Sequence, residues 1–539
     1  MKKNLLVLLC GLIPAISSAQ LTETNLPIIK INTNGTPVSD TQSLASMSII
    51  KNTSGNNAPN DAPVFTGNIG IKFRGSTSAV KPNYSVETWT TFKEEVDTSL
   101  LGMPSENDWA LLGMYVDRSL MRYLIANNIY TGMGYWAPRF QLCEVLMDNA
   151  YKGVYLFGET IKRDSLRLDI AKLKNTDSYY PVITGGYILK IDNDNDDYFT
   201  SDFAPPYGTM GQEIKLHFHY PKDSEITNAQ KAWIQSYVDS FETALNGSNF
   251  TDELTGWRAF ASHKSFRDYL ILNEVIGNEE AYRKNTYVWK DKSKKLRVGP
   301  LWNADNILYN TTDCDVDAAD TWMYKHGQSC PEDTYLPAFW WEKLLSDNSF
   351  LDEVKCTYTH LRETGKALDT AVLFSFIDGT AATLNQQNAQ QRNFALYPIF
   401  GTSINDEPLP LSETYEEEIE KIKQYLRDRL AFLDSQWLTD GSCEEVGITN
   451  LDNNIGEIVM MPNPTSDKLT IEFELNHKAT VNVTVYNILG QKVLDQDAGK
   501  LSGGMHSIQI NTSAWAPGMY SVILRTAEGS SWTGKLIKK

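Results

Sequence analysis

Between Leu469 and Thr526 four short runs, LTIEFEL, VNVTVYN, HSIQI and YSVILRT, alternate apolar and polar residues. Period two puts the apolar set on one face of a strand and the polar set on the other. Such strands, separated by turns over roughly eighty residues, need a second sheet to cover their apolar faces, which is the logic of a small β-sandwich. Residues 456–539 are read that way, behind a polar linker, VGITNLDNNI, at 446–455. A chain of 539 residues is too long for one domain. The sandwich is therefore the smaller part of it.

Upstream the period changes from segment to segment. An apolar run at Leu26–Ile31 predicts a strand. IGIKFRG sets Ile69, Ile71 and Phe73 on one face and Lys72 and Arg74 on the other. FQLCEVLM, DNAYKG and VYLFGE read as a hairpin closed by Asp-Asn. GGYILKID is another strand, with Lys190 and Asp192 on one face. Helix is expected at 117–129, through most of 222–275, and from 338 to 437. The last helix, near 414–437, opens with Thr414 and Glu417 in capping-box spacing and turns Ile419, Ile422, Leu426, Leu430, Leu433 and Trp437 inward. This mixture predicts an α+β unit ahead of the all-β one.

The first residues, MKKNLLVLLCGLIPAISSAQ, combine two lysines, an apolar run and small residues at Ser17 and Ala19, the pattern of a signal peptide spanning 1–19. No later apolar run is long enough to span a bilayer. Export implies an oxidising compartment, in which Cys314–Cys330 and Cys356–Cys443 are the expected bridges and Cys143 a buried thiol. A formal net charge of −18 argues against nucleic-acid partners and anionic membrane surfaces, both of which need clustered Lys and Arg. A monomer is expected.

Generic catalytic patterns are missing: the chain has no GxSxG, HExxH, GxxxxGK[ST] or HRD. DNDNDD (192–197), counted as a calcium loop, puts Asp197 where Gly is required and Phe203 where Glu is required. DCDVDAAD (313–320) fails the same count at Ala318. His217 and His219 share a strand face expected to be solvated, and no cysteine or histidine spacing suits zinc.

Two resemblances carry more. MPNPTSDKLTIEF, VTVYNILGQKV, APGMYSVILRT and the closing KLIKK resemble the C-terminal sorting domain of the bacterial type IX secretion system. That implies the secretion machinery as a partner and delivery to, or release from, the outer cell surface. Six stretches then resemble the spore-coat protein H (CotH) kinase family: 68–88, 100–126, 143–173, 184–192, NEVIGNEEAYRKNTYVWKD (273–291) and GPLWNAD (299–305). The family implies an atypical protein-kinase-like fold over residues 20–445, using ATP with Mg²⁺ or Mn²⁺ to phosphorylate a protein.

Kinase chemistry asks for a carboxylate to orient the hydroxyl and for Asn and Asp to hold metal on the phosphates. Glu280 and Asn285 stand in the D-x-x-x-x-N spacing of a kinase catalytic loop, with Glu in the first position. Trp302-Asn303-Ala304-Asp305 stands where the family shows W-D-x-D, making Asn285, Asn303 and Asp305 the implied metal ligands. Arg74, Ser76, Ser78 and Lys81 match the phosphate-contacting region of the family, in which Pro82 replaces a second lysine. Lys190 and Glu159 are the candidate lysine–glutamate pair of a nucleotide pocket. Asp117, Arg118 and Arg122 are expected as internal ion pairs. Because Glu280 and Asn303 replace family aspartates, two functions stay open: an exported Ser/Thr kinase, or a catalytically silent kinase-fold module that binds or builds at the surface. A secreted hydrolase is disfavoured by the missing motifs.

Overall fold

In the computed structural model, which describes residues 21–75, 79–193, 196–404, 406–439, 443, 455–475, 478–487, 491–527 and 531–539, alternation becomes architecture first in the N-terminal part. The proposed signal peptide, most of the linker, Ser76 and Ser78 lie outside the described residues. Strands β1 (Ile28–Asn32), β2 (Ser43–Ile50), β3 (Phe65–Arg74), β4 (Asn83–Trp89) and β5 (Asp108–Leu112) precede helix α1 (Arg122–Gly132). The hairpin β6 (Phe140–Met147) and β7 (Ala150–Glu159) follows, and the seven strands close a barrel in the order β1-β2-β3-β4-β5-β7-β6. Ile69 and Ile71 point into it with Tyr84, Trp109, Cys143 and Phe157, while Lys72 and Arg74 alternate outward. Asp148 and Asn149 turn the hairpin at φ 50° and 64°, the left-handed conformation such two-residue loops require. Helix α1 begins later than the sequence suggests. The Asp117 carboxylate accepts from the amides of Ser119 and Arg122 (2.9 Å each) and closes a turn ahead of it.

A second sheet follows: β8 (Tyr187–Ile191), β9 (Tyr198–Thr200), β10 (Lys215–Tyr220), β11 (Thr286–Lys290) and β12 (Leu296–Val298), ordered β12-β11-β8-β10-β9. Between β10 and β11 run α2 (Asn228–Asn246) and α3 (His263–Ile276). After β12 come α4 (His326–Ser329), α5 (Trp340–Leu345), α6 (Asn348–Leu361), α7 (Thr370–Asn385), α8 (Ala389–Leu396) and α9 (Tyr415–Trp437). Helix α3 is buried on nearly every side, the mark of a central helix. Helix α9 is capped by Thr414, whose hydroxyl accepts from the Glu417 amide at 3.2 Å, and buries the six apolar residues expected of it. It also buries Arg429, whose guanidinium pairs with Glu274 of α3 at 2.9 Å, a charge the apolar pattern does not announce.

Arg122 pairs with Asp117 and with Glu418, each at 2.7 Å, and Arg118 pairs with Glu407, so these are internal ion pairs as expected. His217 departs from expectation: it is buried, with Nδ1 3.0 Å from the Asp196 carbonyl and its ring centroid 5.2 Å from that of Tyr198. Cys314 and Cys330 form the expected disulfide. Cys356 and Cys443 do not. They stand as thiols in hydrogen-bond contact, and burial first, then Cys443, pushes the Cys356 thiol up to about 11.

In the last part of the chain β13 (Ile455–Met461), β14 (Lys468–Leu475), β15 (Ala479–Asn487), β16 (Lys492–Leu501), β17 (Gly504–Asn511), β18 (Gly518–Thr526) and β19 (Ser531–Lys538) form two antiparallel sheets, β13-β14-β17 and β16-β15-β18-β19. Leu469, Ile471 and Phe473 of one sheet share a core with Val481, Val483, Val485, Val522 and Leu524 of the other. No helix among the described residues is long and apolar enough to cross a membrane.

Candidate functional site

The site grows from the end of α3. Gly277 closes that helix at φ 56°, and a Cβ there would collide with the Tyr425 hydroxyl, so only glycine fits. The turn from Asn278 to Asn285 then leads into β11. Within it Tyr282 stands at φ 69°, unusual for a bulky side chain. Packing holds it there: its ring lies 4.3 Å from that of Trp341 and its hydroxyl donates to Glu274 at 3.1 Å. A turn held this firmly aims its side chains.

Glu280 is the one so aimed. Its carboxylate accepts from Asn285 Nδ2 at 2.7 Å and from Asn303 Nδ2 at 3.4 Å. Asn285 and Asn303 both adopt left-handed backbone, φ 47° and 54°, which asparagine tolerates better than most residues. Asn303 belongs to the irregular stretch that follows β12. Two residues on, the Asp305 carboxyl is pushed up to about 7 by burial, then by the negative charges of Asp117 and Glu280. Glu280 is itself raised, chiefly by burial and further by Asp192, against the lowering effects of Asn285, Lys284 and Asn303. Glu280, Asn285, Asn303 and Asp305 thus come together.

The other candidates divide. Arg74, at the end of β3, stacks on the Trp302 ring at 4.8 Å, which brings the barrel against the 302–305 stretch. Lys190 pairs with Asp192 and lies 5.7 Å from the Tyr287 ring. It does not pair with Glu159. That carboxylate accepts from Arg139 Nη2 (2.6 Å), Nε (2.8 Å) and its backbone amide (2.9 Å), because β7 delivers it to the Arg139 end of the hairpin. Lys81 is held by partners outside the cluster. Its ammonium donates to the Val154 carbonyl and to Asn393 Oδ1 (2.7 Å), and burial lowers it to about 7.

Sequence reasoning placed Asp192 on the face of Lys190 without giving it a part in the site. Its charge raises Glu280, and the i, i+2 spacing with Lys190 was the available signal. The charge of Asp117 on Asp305 had no sequence signal, since 188 positions separate them. The resulting arrangement offers a carboxylate oriented by two carboxamides beside a second carboxyl. It can accept a proton and present oxygen donors to a hard cation.

Comparison with known proteins identifies two families in the chain. Residues 71–433 match the family described as CotH kinase protein, and residues 459–539 match the secretion system C-terminal sorting domain. No curated protein matches the chain. Among solved structures, the hypothetical protein PH1083 from Pyrococcus horikoshii OT3 is 12% identical, with 16% of this chain and 90% of that one covered and a TM-score of 0.13. The endo-beta-1,4-mannanase from Thermotoga petrophila is also 12% identical, covering 25% of this chain and 27% of that one, TM-score 0.13. The Pseudomonas fluorescens alkylpurine DNA glycosylase AlkC is 12% identical as well, covering 42% and 87%, TM-score 0.13. Likenesses this slight carry no argument about fold or chemistry. The family match spans most of the sequence and includes both the Glu280 turn and the 302–305 stretch. This chain belongs to the CotH kinase protein family and ends in a type IX secretion sorting domain.

Proposed function

We propose that the unit upstream of the sorting domain is an atypical, kinase-like phosphotransferase acting at the outer cell surface. It transfers the γ-phosphoryl group of ATP to a Ser or Thr hydroxyl of a protein. The supporting observation is the Glu280 carboxylate held by Asn285 and Asn303 with Asp305 beside it. Glu280 takes the hydroxyl proton as the hydroxyl oxygen bonds to the γ-phosphorus. The bond from phosphorus to the β,γ-bridging oxygen breaks and ADP leaves.

The donor chemistry fits a hard divalent cation. Asn285 and Asn303 direct their amide nitrogens to Glu280, leaving Oδ1 of each as an oxygen donor alongside the Asp305 carboxylate. Mg²⁺ or Mn²⁺ held by these three would supply charge neutralisation on the phosphates. Arg74, clamped on Trp302, offers a guanidinium to the same nucleotide.

One observation favours a silent binding module instead. Asn303 brings no charge where the family has Asp, and its carboxamide is already engaged with Glu280. Activity decides between the two. Autophosphorylation, or transfer to a Ser-rich peptide, is measured with MgATP and MnATP for the wild type and for Asn303→Asp with Glu280→Asp. The substitutions restore one negative charge and withdraw a carboxylate by about 1 Å, a displacement worth up to ~10²-fold in rate. A rise of tenfold or more, with Asp305→Ala abolishing transfer, is the expected result. ATP binding without transfer in the restored variant makes the silent module the correct reading.

A further inference from the structure

Lys81, just ahead of β4, and Asn393, in α8, meet where that helix packs against β7, and both are buried. We propose that these two side chains condense to a Lys81–Asn393 isopeptide bond, a covalent tie between the barrel and the helices that follow it. The tie is independent of the kinase reading, and a lysine so bonded is withdrawn from any phosphate.

Three contacts build the pair. Arg392 grips buried Glu144 of β6 with two bonds, Nε at 2.9 Å and Nη2 at 2.7 Å, a fork that fixes α8 against the hairpin and aims the next residue, Asn393, at β7. Gly153 of β7 stands at φ 91°, and a Cβ there would lie 2.5 Å from Asn393 Oδ1 and 3.4 Å from Lys81 Cε. Glycine therefore leaves the room that the carboxamide and the lysine stem occupy. Asn393 Oδ1 accepts from the Val154 amide at 3.1 Å and from Lys81 Nζ at 2.7 Å. A carbonyl bond of about 1.23 Å then sets Cγ roughly 3–4 Å from Nζ, close to the separation of a near-attack pair.

The surroundings make the lysine a nucleophile. Its nitrogen lies 4.9 Å from the Tyr155 ring centroid and 5.3 Å from that of Tyr397, with no carboxylate paired to it among the described residues. Burial lowers it to about 7 against the opposing influence of Cys143 and Asp117. Cys143 is itself pushed up by burial and stays a neutral thiol, and Asp117 is engaged with Arg122 at 2.7 Å. Above pH 7 the amine is mainly neutral and keeps its lone pair. That pair bonds to Cγ while the carbonyl π electrons move onto Oδ1, where the Val154 amide stabilises the charge. As the carbonyl re-forms, the Cγ–Nδ2 bond breaks, Nδ2 takes one of the two protons on Nζ, and ammonia leaves. An amine and a primary amide become a secondary amide and ammonia, with no oxidant or cofactor. The product joins residues 312 positions apart and, unlike a disulfide, survives reduction.

The test is the mass of the full chain after folding at pH 8, denaturation and reduction of Cys314–Cys330. The wild type is expected one ammonia lighter than its sequence, and its digest is expected to hold a branched peptide joining residues 81 and 393. Asn393→Ala, and separately Lys81→Arg, keep the full sequence mass and lose the branched peptide. Should either variant fail to fold, the wild-type digest decides alone. Three results overturn the bond: full sequence mass in the folded wild type, loss of ammonia without the branched peptide, which is cyclisation of an asparagine to a succinimide, or the same mass loss in Asn393→Ala.

Discussion

In the C-terminal sandwich the buried polar residues among those described are Thr465, Thr512, Thr526 and Lys538, and everything else in the core is apolar. The unit upstream buries Arg122, Arg283 and Arg429 almost completely, along with Glu144, Glu159, Glu242 and Glu274. An apolar core tolerates imperfect neighbours, because each contact contributes a small, non-directional share. A buried charge tolerates none, because losing one partner strands the other. The sandwich can serve as an address carried by pattern alone. The upstream unit holds its Glu280 turn with groups that must all be present.

The largest expected effect separates the two parts. Without residues 456–539 the upstream core keeps its unfolding midpoint but accumulates in the periplasm, as fractionation would show. Surface delivery of that truncation would break the comparison at its root, by showing that the sandwich is not the address.

Next in size is Arg429→Met. Arg429 donates to the Ala319 and Thr321 carbonyls and to Glu274, and Glu274 in turn accepts from Tyr282 in the site turn. Removing the guanidinium strands Glu274, at a cost of about 3–5 kcal/mol. Urea unfolding measures it. A loss under about 1 kcal/mol would mean the buried pair is dispensable and the two cores are less different than their composition. In the sandwich, Ile471→Ala costs about 2–4 kcal/mol by cavity formation. The upstream transition stays where it was. A shift in both transitions would show that the parts unfold together.

Legibility in the sequence follows the same division. The sandwich strands, the 148–149 hairpin turn and the apolar face of α9 follow from period and turn chemistry, which are local. Glu280, Asn285, Asn303 and Asp305 were legible through spacing and family resemblance, and they do converge. The partner of Glu159 was not legible, because Arg139 and Lys190 are equally cationic on paper and only the direction of β7 chooses between them. The partners of Lys81 were not legible for a similar reason. A lysine in a phosphate-contacting motif says nothing of the Asn393 carboxamide 312 positions away that accepts its hydrogen bond. Buried polar partners at long range are set by tertiary structure, which leaves no periodic trace.

The smallest expected effect tests whether buried charge always stabilises. Glu242 of α2 is fully buried, accepting from Ser201 Oγ at 2.8 Å and from Trp340 Nε1 at 2.7 Å, with no ion pair among the described residues. Burial pushes its carboxyl from 4.5 up to about 7, outweighing the two hydrogen bonds. The folded state therefore holds a proton that the unfolded state releases. The stability this gives is fully present below about pH 4.5, declines as pH rises toward 7, and is gone above it. At about 1.4 kcal/mol per pH unit the ceiling is about 3 kcal/mol, with hydrogen-bond compensation reducing the observable part. Glu242→Gln keeps an acceptor for Trp340 and a partner for Ser201 while removing the ionisation. It is expected to raise stability by about 1–2 kcal/mol at pH 8.5 and to change it little at pH 5, measured by urea unfolding at both. An equal gain at both pH values would trace the effect to packing. No gain at pH 8.5 would mean that Ser201 and Trp340 fully compensate the buried charge, and the buried carboxylate of α2 would cost no more than the apolar core of the sandwich.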